Sequence, residues 1–381
     1  MKIGCHIFWS FLMSVFIGVS CYLAEAVPFT FLDSIWQYFV VEWTIQKISH
    51  HQDDIQDGLF IDVGYDKAIA ETSLYNGLFT GKVAITDRTT LDDLLRRLQE
   101  DDTYKYVFLD VRFEKGINTP RDSMLFERIS KMRDIVVATH SGMELASPLL
   151  EEKVALSDYK MFASSTGFSR YQFLQNDRET APLKIYHDLT GNTVKKVRGV
   201  PLFISERQLC KNTLFLRIPY DFSTARSVSD KMNYYHCGPQ IDDSFPLEDL
   251  ARGRYVVIGD YVNDLSGTYR AEQPNPYISY LATRSLMRGD HLLSGWLVGV
   301  LLLVFGGLSY HALSAGKNSL FPAKPFWELV FSFVSYSIVL SIICMAIFLV
   351  FHSTFSIIVS SMILTFVSNA RKVYLKHHEK K

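Results

Sequence analysis

The sequence predicts an α/β extracytoplasmic domain, with a largely parallel sheet covered by helices, joined to an all-α membrane region of four transmembrane helices. Three observations predict it. Four stretches, Ile3–Ala24, Leu292–Tyr310, Leu329–Phe351 and Ser353–Ala370, carry no Asp, Glu, Lys or Arg, and each comes close to the ~20 residues that a helix needs to cross a ~30 Å hydrocarbon core. Between the first and the second lies a polar stretch of about 265 residues, in which short apolar runs alternate with helix-like segments. The lysines and arginines near the apolar stretches fall on one side. The boundaries that follow are 1–26 for a signal anchor, 27–291 for the exported domain, 292–370 for three spans and 371–381 for a basic tail.

Orientation follows from those charges. Lys2 precedes the first stretch, Lys317 and Lys324 lie after the second, and Arg371, Lys372, Lys376, Lys380 and Lys381 follow the last, whereas the turn around His352 has no Lys or Arg. Basic ends stay inside, so the N- and C-termini are placed in the cytoplasm and the domain outside it. The first stretch has a second reading. Ala24-Glu25-Ala26 fits the small-residue pattern of a signal-peptide cleavage site, and cleavage leaves the domain on the same side. Formal net charge is −1, and no nucleic-acid partner is expected. The partners expected are the lipid bilayer, a membrane protein and an unidentified small-molecule or envelope ligand.

Taken in order, Phe31–Ile48 places Leu32, Ile35, Trp36, Phe39, Val40 and Trp43 at helical spacing and predicts an amphipathic helix. Gly58–Val63 predicts a buried strand. Leu91, Leu94, Leu95 and Leu98 recur at i, i+3, i+4 and i+7, a helical face, started by Asp87 or by Thr89–Thr90. Tyr106–Val111 is the next strand, Ser123–Met132 a helix, Asp134–Thr139 a third strand and Tyr255–Asp260 a late one. Strands that are apolar throughout and separated by helices argue for a parallel sheet covered on both faces. Val194–Leu216 mixes basic residues, Pro201 and isolated apolar residues, and is read as an inserted hairpin. Gly295 and Gly299 form a G-x-x-x-G spacing that permits close helix approach or a homodimer.

Chemistry is concentrated at strand ends. Asp62, Asp110, His140, Asp260 and Asp264 each follow an apolar strand, and open α/β sheets bind ligands beyond the carboxyl ends of their strands. Such a cluster suits a cationic or polyhydroxylated ligand, or a metal, although aspartate after a strand is also an ordinary turn former. His50 and His51 with Asp53 and Asp54 could bind a divalent cation, or be simply solvated; no metal or cofactor is expected. The sequence has no G-x-S-x-G, H-E-x-x-H, Walker or G-x-G-x-x-G motif, so no enzyme is expected. Cys210 and Cys237 are the two cysteines of the exported domain. They are either one disulfide, compatible with an oxidising compartment, or two unpaired thiols.

The order of elements resembles that of CHASE2 sensor domains of bacterial receptors, which have one N-terminal span, an extracytoplasmic α/β domain and three closely spaced spans. Phe60-Ile61-Asp62-Val63 resembles the family's early strand ending in an acid, and Ile85–Leu98 its following helix. Val107–Phe113 resembles its apolar strand–Asp–x–x–Phe segment, with Asp122 and Leu125 beyond. Leu250–Gly259 resembles its Gly–Lys–hydrophobic–Ile–Gly strand, with Arg254 in the lysine place, and Asp264, Thr268, Pro276 and Ile278–Met287 follow. The chain departs from the family pattern at Ser266, where histidine is common, and at Tyr277, where glycine is common. The resemblance implies a sensor of the bacterial inner membrane, with Thr268 joining the acidic cluster as a ligand-binding residue. It also implies signalling through membrane partners, without the usual output domain. The alternative is an envelope scaffold that displays the same fold as an interaction surface.

Overall fold

The computed structural model describes residues 3–25, 55–73, 79–158, 170–219, 221–223, 232–242, 244–268, 271–314 and 325–378. The expected helix Phe31–Ile48 and the group His50, His51, Asp53 and Asp54 lie outside the described residues. In chain order the principal elements are helix α1 (Ile3–Glu25), strand β1 (Gly58–Asp62), helix α2 (Arg88–Asp101), β2 (Tyr106–Asp110) and α3 (Asp122–Lys131). Then come β3 (Ile135–Thr139), β4 (Val154–Leu156), α4 (Ala181–Thr190), β5 (Asn233–His236), β6 (Tyr255–Gly259) and α5 (Asn275–Met287). Helices α6 (Gly295–Ser314), α7 (Pro325–Phe351) and α8 (Ile357–His378) close the chain.

These elements form two compact units. Residues 51–194 and 214–289 make the α/β unit; residues 1–50, 195–213 and 290–381 make the helical unit.

In the α/β unit, six strands form a parallel sheet in the order β5-β1-β6-β2-β3-β4. Every residue of β1, β3 and β6 is buried, as expected of strands covered on both faces. Side chains alternate between the faces. Leu59, Ile61, Val107, Leu109, Val137, Val256 and Ile258 pack with α2 and α3 in one core. Phe60 turns the other way and meets Tyr277 and Tyr280 of α5, ring centroids 5.8 and 5.0 Å away.

Helix α2 buries Leu91, Leu94, Leu95 and Leu98, the face that the leucine spacing predicts. Asp87 is its cap: its carboxylate accepts bonds from the backbone N–H groups of Thr89 and Thr90. At the other end Asp102 adopts the left-handed conformation (φ 48°) and its N–H reaches Leu98 O. Arg128 of α3 reaches back to Asp92 of α2 at 2.6 Å, an ion pair shielded at the helix–helix seam.

In the helical unit, α1 packs on α6 and α8, and α7 on α8, around Ile17, Cys21, Phe305, Leu340, Cys344 and Leu364. Residues 195–213 contribute a three-stranded antiparallel sheet, Lys195–Lys196, Phe203–Ser205 and Gln208–Cys210, where the sequence suggests a hairpin. Tyr22 ties this sheet to α1: its Oη donates to Cys210 O at 2.9 Å and accepts from Phe203 N at 3.1 Å. A Cβ at Gly295 or Gly299 would meet nothing within 4 Å, so the G-x-x-x-G makes no close helix contact among the described residues.

Among the described residues three helices are long and apolar enough to cross a membrane: Gly4–Glu25, Gly295–Ser314 and Trp327–Phe351. The fourth expected span, 353–370, is not among them. Residues 353–356 precede the helix, and α8 continues into Arg371, Lys372 and Lys376. Its uncharged part, 357–370, is 14 residues, about 21 Å at 1.5 Å per residue, against a ~30 Å core.

Asp87→Ala removes the α2 cap and is expected to destabilise the α/β unit by about 1 kcal/mol. That corresponds to a fall in melting temperature of roughly 2–4 °C for a unit of this size, measured on the full chain in detergent.

Candidate functional site

All strands of a parallel sheet end on the same edge, so the residues that terminate them gather there. Register sets Asp62 beside His236 of β5 on one side and Gly259 of β6 on the other, and Gly259 beside Asp110 of β2. His140 follows β3, Asp158 follows β4 and Asp260 follows β6. The edge is therefore acidic along most of its length. The carboxylates nevertheless differ in how many of their oxygens are already held.

Asp62 is fully buried. Its Oδ1 accepts from Gly64 N at 2.8 Å and Tyr261 N at 3.1 Å; its Oδ2 accepts from Tyr234 Oη at 2.7 Å and lies 3.0 Å from His236 Nδ1. Gly64 is required at this spot, because a Cβ there would sit 2.6 Å from Asp260 Oδ1 and 2.9 Å from Asp62 Oδ1.

Asp260 is held nearly as fully. Lys67 Nζ donates to Oδ2 at 3.0 Å, while Val262 N and Asn263 N donate to Oδ1 at 3.0 and 2.8 Å. Burial raises its pKa, but these bonds and a further one from the Asn263 amide outweigh that effect and hold the carboxyl below its usual range. Thr268 closes the turn between Leu265–Gly267 and Glu272–Pro274: its hydroxyl donates to Ala271 O at 2.6 Å and accepts from Ala271 N. The resemblance places Thr268 with the ligand; locally it is a turn residue.

Asp110 and Asp264 form a different pair. Burial and the neighbouring Asp264 push the Asp110 carboxyl well above its usual pKa, against a bond from Ser157 that lowers it. Asp110 Oδ2 is buried without a hydrogen-bond partner among the described residues. Asp264 is also raised by burial, although Asn275 Nδ2 donates to it at 2.5 Å and the charge of His140 favours its ionised form. Two such carboxyls titrate as a unit and retain a proton between them above the pH at which a free aspartate would lose it. The exposed His140 reaches Asp158 with Nδ1 at 2.8 Å, and Asp158 Oδ2 also accepts from Ser141 N at 2.7 Å.

Beneath the edge lies an aromatic layer. Phe222 stacks on Tyr261 at 5.1 Å, Tyr234 meets both rings edge-on, and Tyr277 lies 5.2 Å from Phe222. Burial, with the charges of Asp62 and Asp110 nearby, pushes the Tyr261 phenol far up, so it stays neutral. Tyr234, His236, Asp158, Lys67 and Asn275 escape the sequence reading. Only the run Asn233–His236 carries a faint signal, alternating polar and aromatic residues.

Of the two alternatives for Cys210 and Cys237, the structure has the unpaired one: both are free thiols. Cys210 ends an edge strand of the helical unit and Cys237 follows β5 in the α/β unit. Burial pushes each up to about 12, which keeps both as neutral, unreactive thiols. Among the described residues no group of three or more His, Cys, Asp or Glu side chains is arranged to hold a metal ion. What the edge offers is a half-buried carboxyl pair with one buried acceptor oxygen, Asp110 Oδ2, suited to an O–H or N–H donor. No family model, curated protein or solved structure matches this chain.

Two outcomes follow from this geometry. Asp62→Ala strands three donors that now point at its carboxylate, at ~1–3 kcal/mol each, and is expected to lower the unfolding free energy by at least ~3 kcal/mol in thermal or denaturant unfolding. Asp110→Asn acts in the opposite direction. A raised carboxyl contributes stability that is complete below the ordinary aspartate pKa and is lost as pH rises through the elevated one. The variant lacks that loss, so its melting temperature should match wild type near pH 4 and exceed it increasingly towards pH 8.

Proposed function

We propose that this chain is a membrane-anchored, ligand-binding sensor of the CHASE2 type. Its α/β unit faces outside the cytoplasm of a bacterial inner membrane and binds a cationic or hydroxyl-rich small molecule at the carboxyl edge of the sheet. The observation that carries the reading is the Asp110–Asp264 pair, in which a buried acceptor oxygen lacks a partner among the described residues at the place where open α/β sheets take ligands. An amine or hydroxyl donating to Asp110 Oδ2 would supply the missing bond and relieve the repulsion between the carboxyls. Asp62 and Asp260 hold the edge in shape, and His140 with Asp158 forms its exposed rim.

The charge pattern in the sequence supports N-in, C-in orientation, which requires Ser353–Ala370 to act as a fourth crossing. A signal reaches a membrane partner only to the extent that the ligand prefers one arrangement of the spans over another.

The test is thermal unfolding of the full chain in detergent against amines, polyols and divalent cations. A ligand at 100 times its Kd should stabilise by about 2.7 kcal/mol, a rise of roughly 5–10 °C at the slope expected for a unit of this size. Asp110→Ala and Asp264→Ala should abolish the rise. A folded chain that responds to no member of the panel overturns the sensor reading in favour of a scaffold.

A further inference from the structure

The helical unit contains a cavity of about 280 Å³, close to the lower end of small-molecule pockets. Its walls are Val15, Val19, Leu297, Leu301, Phe305 and Ile347, and both Glu25 and Lys211 also line it. Lys211 is 8 % exposed and Glu25 5 %; Lys211 Nζ lies 2.9 Å from Glu25 Oε2 and 3.1 Å from Oε1, and donates to Thr354 O at 2.5 Å.

Depth identifies what the apolar part fits. Val15 and Glu25 are ten residues apart on one helix, about 15 Å at 1.5 Å per residue. That is half of a ~30 Å hydrocarbon core, so the cavity reaches about one leaflet down from the charged pair. The apolar part is open at Val15 and Val19, 38 % and 52 % exposed, and the medium around a span offers acyl chains. Gly18 borders the hollow, and a Cβ there would meet nothing within 4 Å.

The head of the cavity is equally specific. An ammonium and a carboxylate under 3 Å apart present both signs with no net charge. A buried pair of this kind is often no more stabilising than apolar residues of the same volume, so stability alone does not account for it. A phosphoethanolamine head complements both members, its phosphate opposite Lys211 and its amine opposite Glu25. A net-anionic head gains little from a neutral pair and is repelled by Glu25.

We infer that this cavity is a binding site for one acyl chain of a zwitterionic phospholipid, with the lipid head at the Glu25–Lys211 pair. The inference rests on the reading that α1 and α6 cross a bilayer.

The experiment uses the full chain in mild detergent. Native mass spectrometry should find one retained phospholipid per chain. Palmitoyl lysophosphatidylethanolamine should raise the melting temperature saturably, at a concentration at least tenfold below that needed for palmitoyl lysophosphatidylglycerol. Gly18→Phe fills the hollow and should cut lipid occupancy at least tenfold. Gly4→Phe, on the same helix and also facing open space, should leave it unchanged. Val298→Trp, on the half-exposed rim of the cavity, is a second filling variant should Gly18→Phe fail to fold.

Equal lipid retention in filled and control variants, or an equal response to the two lysolipids, overturns the site. A belt of variable lipid number in every variant does the same. Carbonate extraction of membranes tests the spans separately: release of the chain to the soluble fraction defeats the membrane reading itself.

Discussion

The carboxylate of Asp62 organises the edge of the α/β unit. It sits at the end of the strand second from the edge of the sheet, out of contact with water. A charge in that position is tolerable only if donors surround it. Three donors do so, from the turn after its own strand, from β5 on one side and from the turn after β6 on the other, with His236 Nδ1 3.0 Å away. The same bonds fix where those turns go, and with them the positions of Asp260, Tyr261 and the aromatic layer. Gly64 follows from this constraint, since two carboxylate oxygens approach its Cα too closely for a side chain.

The helical unit solves a related problem with smaller groups. Ser337 and Ser361 share a hydrogen bond across α7 and α8 at 3.0 Å, and Cys21 Sγ reaches Ser356 O at 3.4 Å across α1 and the start of α8. Where the surroundings are as apolar as the helices themselves, packing and such polar contacts hold helices together. Serine also lets α8 sit close to its neighbours, which suits a helix whose uncharged part is too short to cross a bilayer unaided. Its buried positions include Ser360, Ser361, Leu364 and Ser368, a stripe facing protein.

Much of the sheet is legible in the sequence because burial on both faces leaves an unmistakable run: Leu59-Phe60-Ile61, Val107-Phe108-Leu109, Ile135-Val136-Val137 and Val256-Val257-Ile258 have no polar residue to interrupt them. Helix α2 is legible for the complementary reason, a single leucine stripe on a charged helix. β5 is not, because an edge strand is covered less completely and Asn233-Tyr234-Tyr235-His236 has no apolar run. The end of α8 lies beyond the uncharged stretch because charge marks where a hydrocarbon core ends, while the helix continues through Arg371, Lys372 and Lys376. The disulfide alternative rests on both cysteines sharing one domain, and the strand that carries Cys210 folds with the helices instead.

The candidate site shows where sequence reasoning reaches its limit for a physical reason. Asp62, Asp110 and Asp260 look alike in the chain, each an acid at or just beyond the end of an apolar strand. What separates them is how many donors the rest of the fold brings to their oxygens, a property of residues up to 199 positions away. Asp62 and Asp260 have their oxygens occupied and act as struts. Asp110 keeps a buried oxygen without a partner among the described residues and has a second carboxyl beside it. A fold that encloses an acceptor without a donor bears a cost of about 1–3 kcal/mol, and a like-charged neighbour adds to it. Strain of that kind is retained at binding sites, where an incoming group relieves it. On this argument the Asp110–Asp264 pair, rather than the more deeply buried and better bonded Asp62, is the place where a ligand gains most by binding.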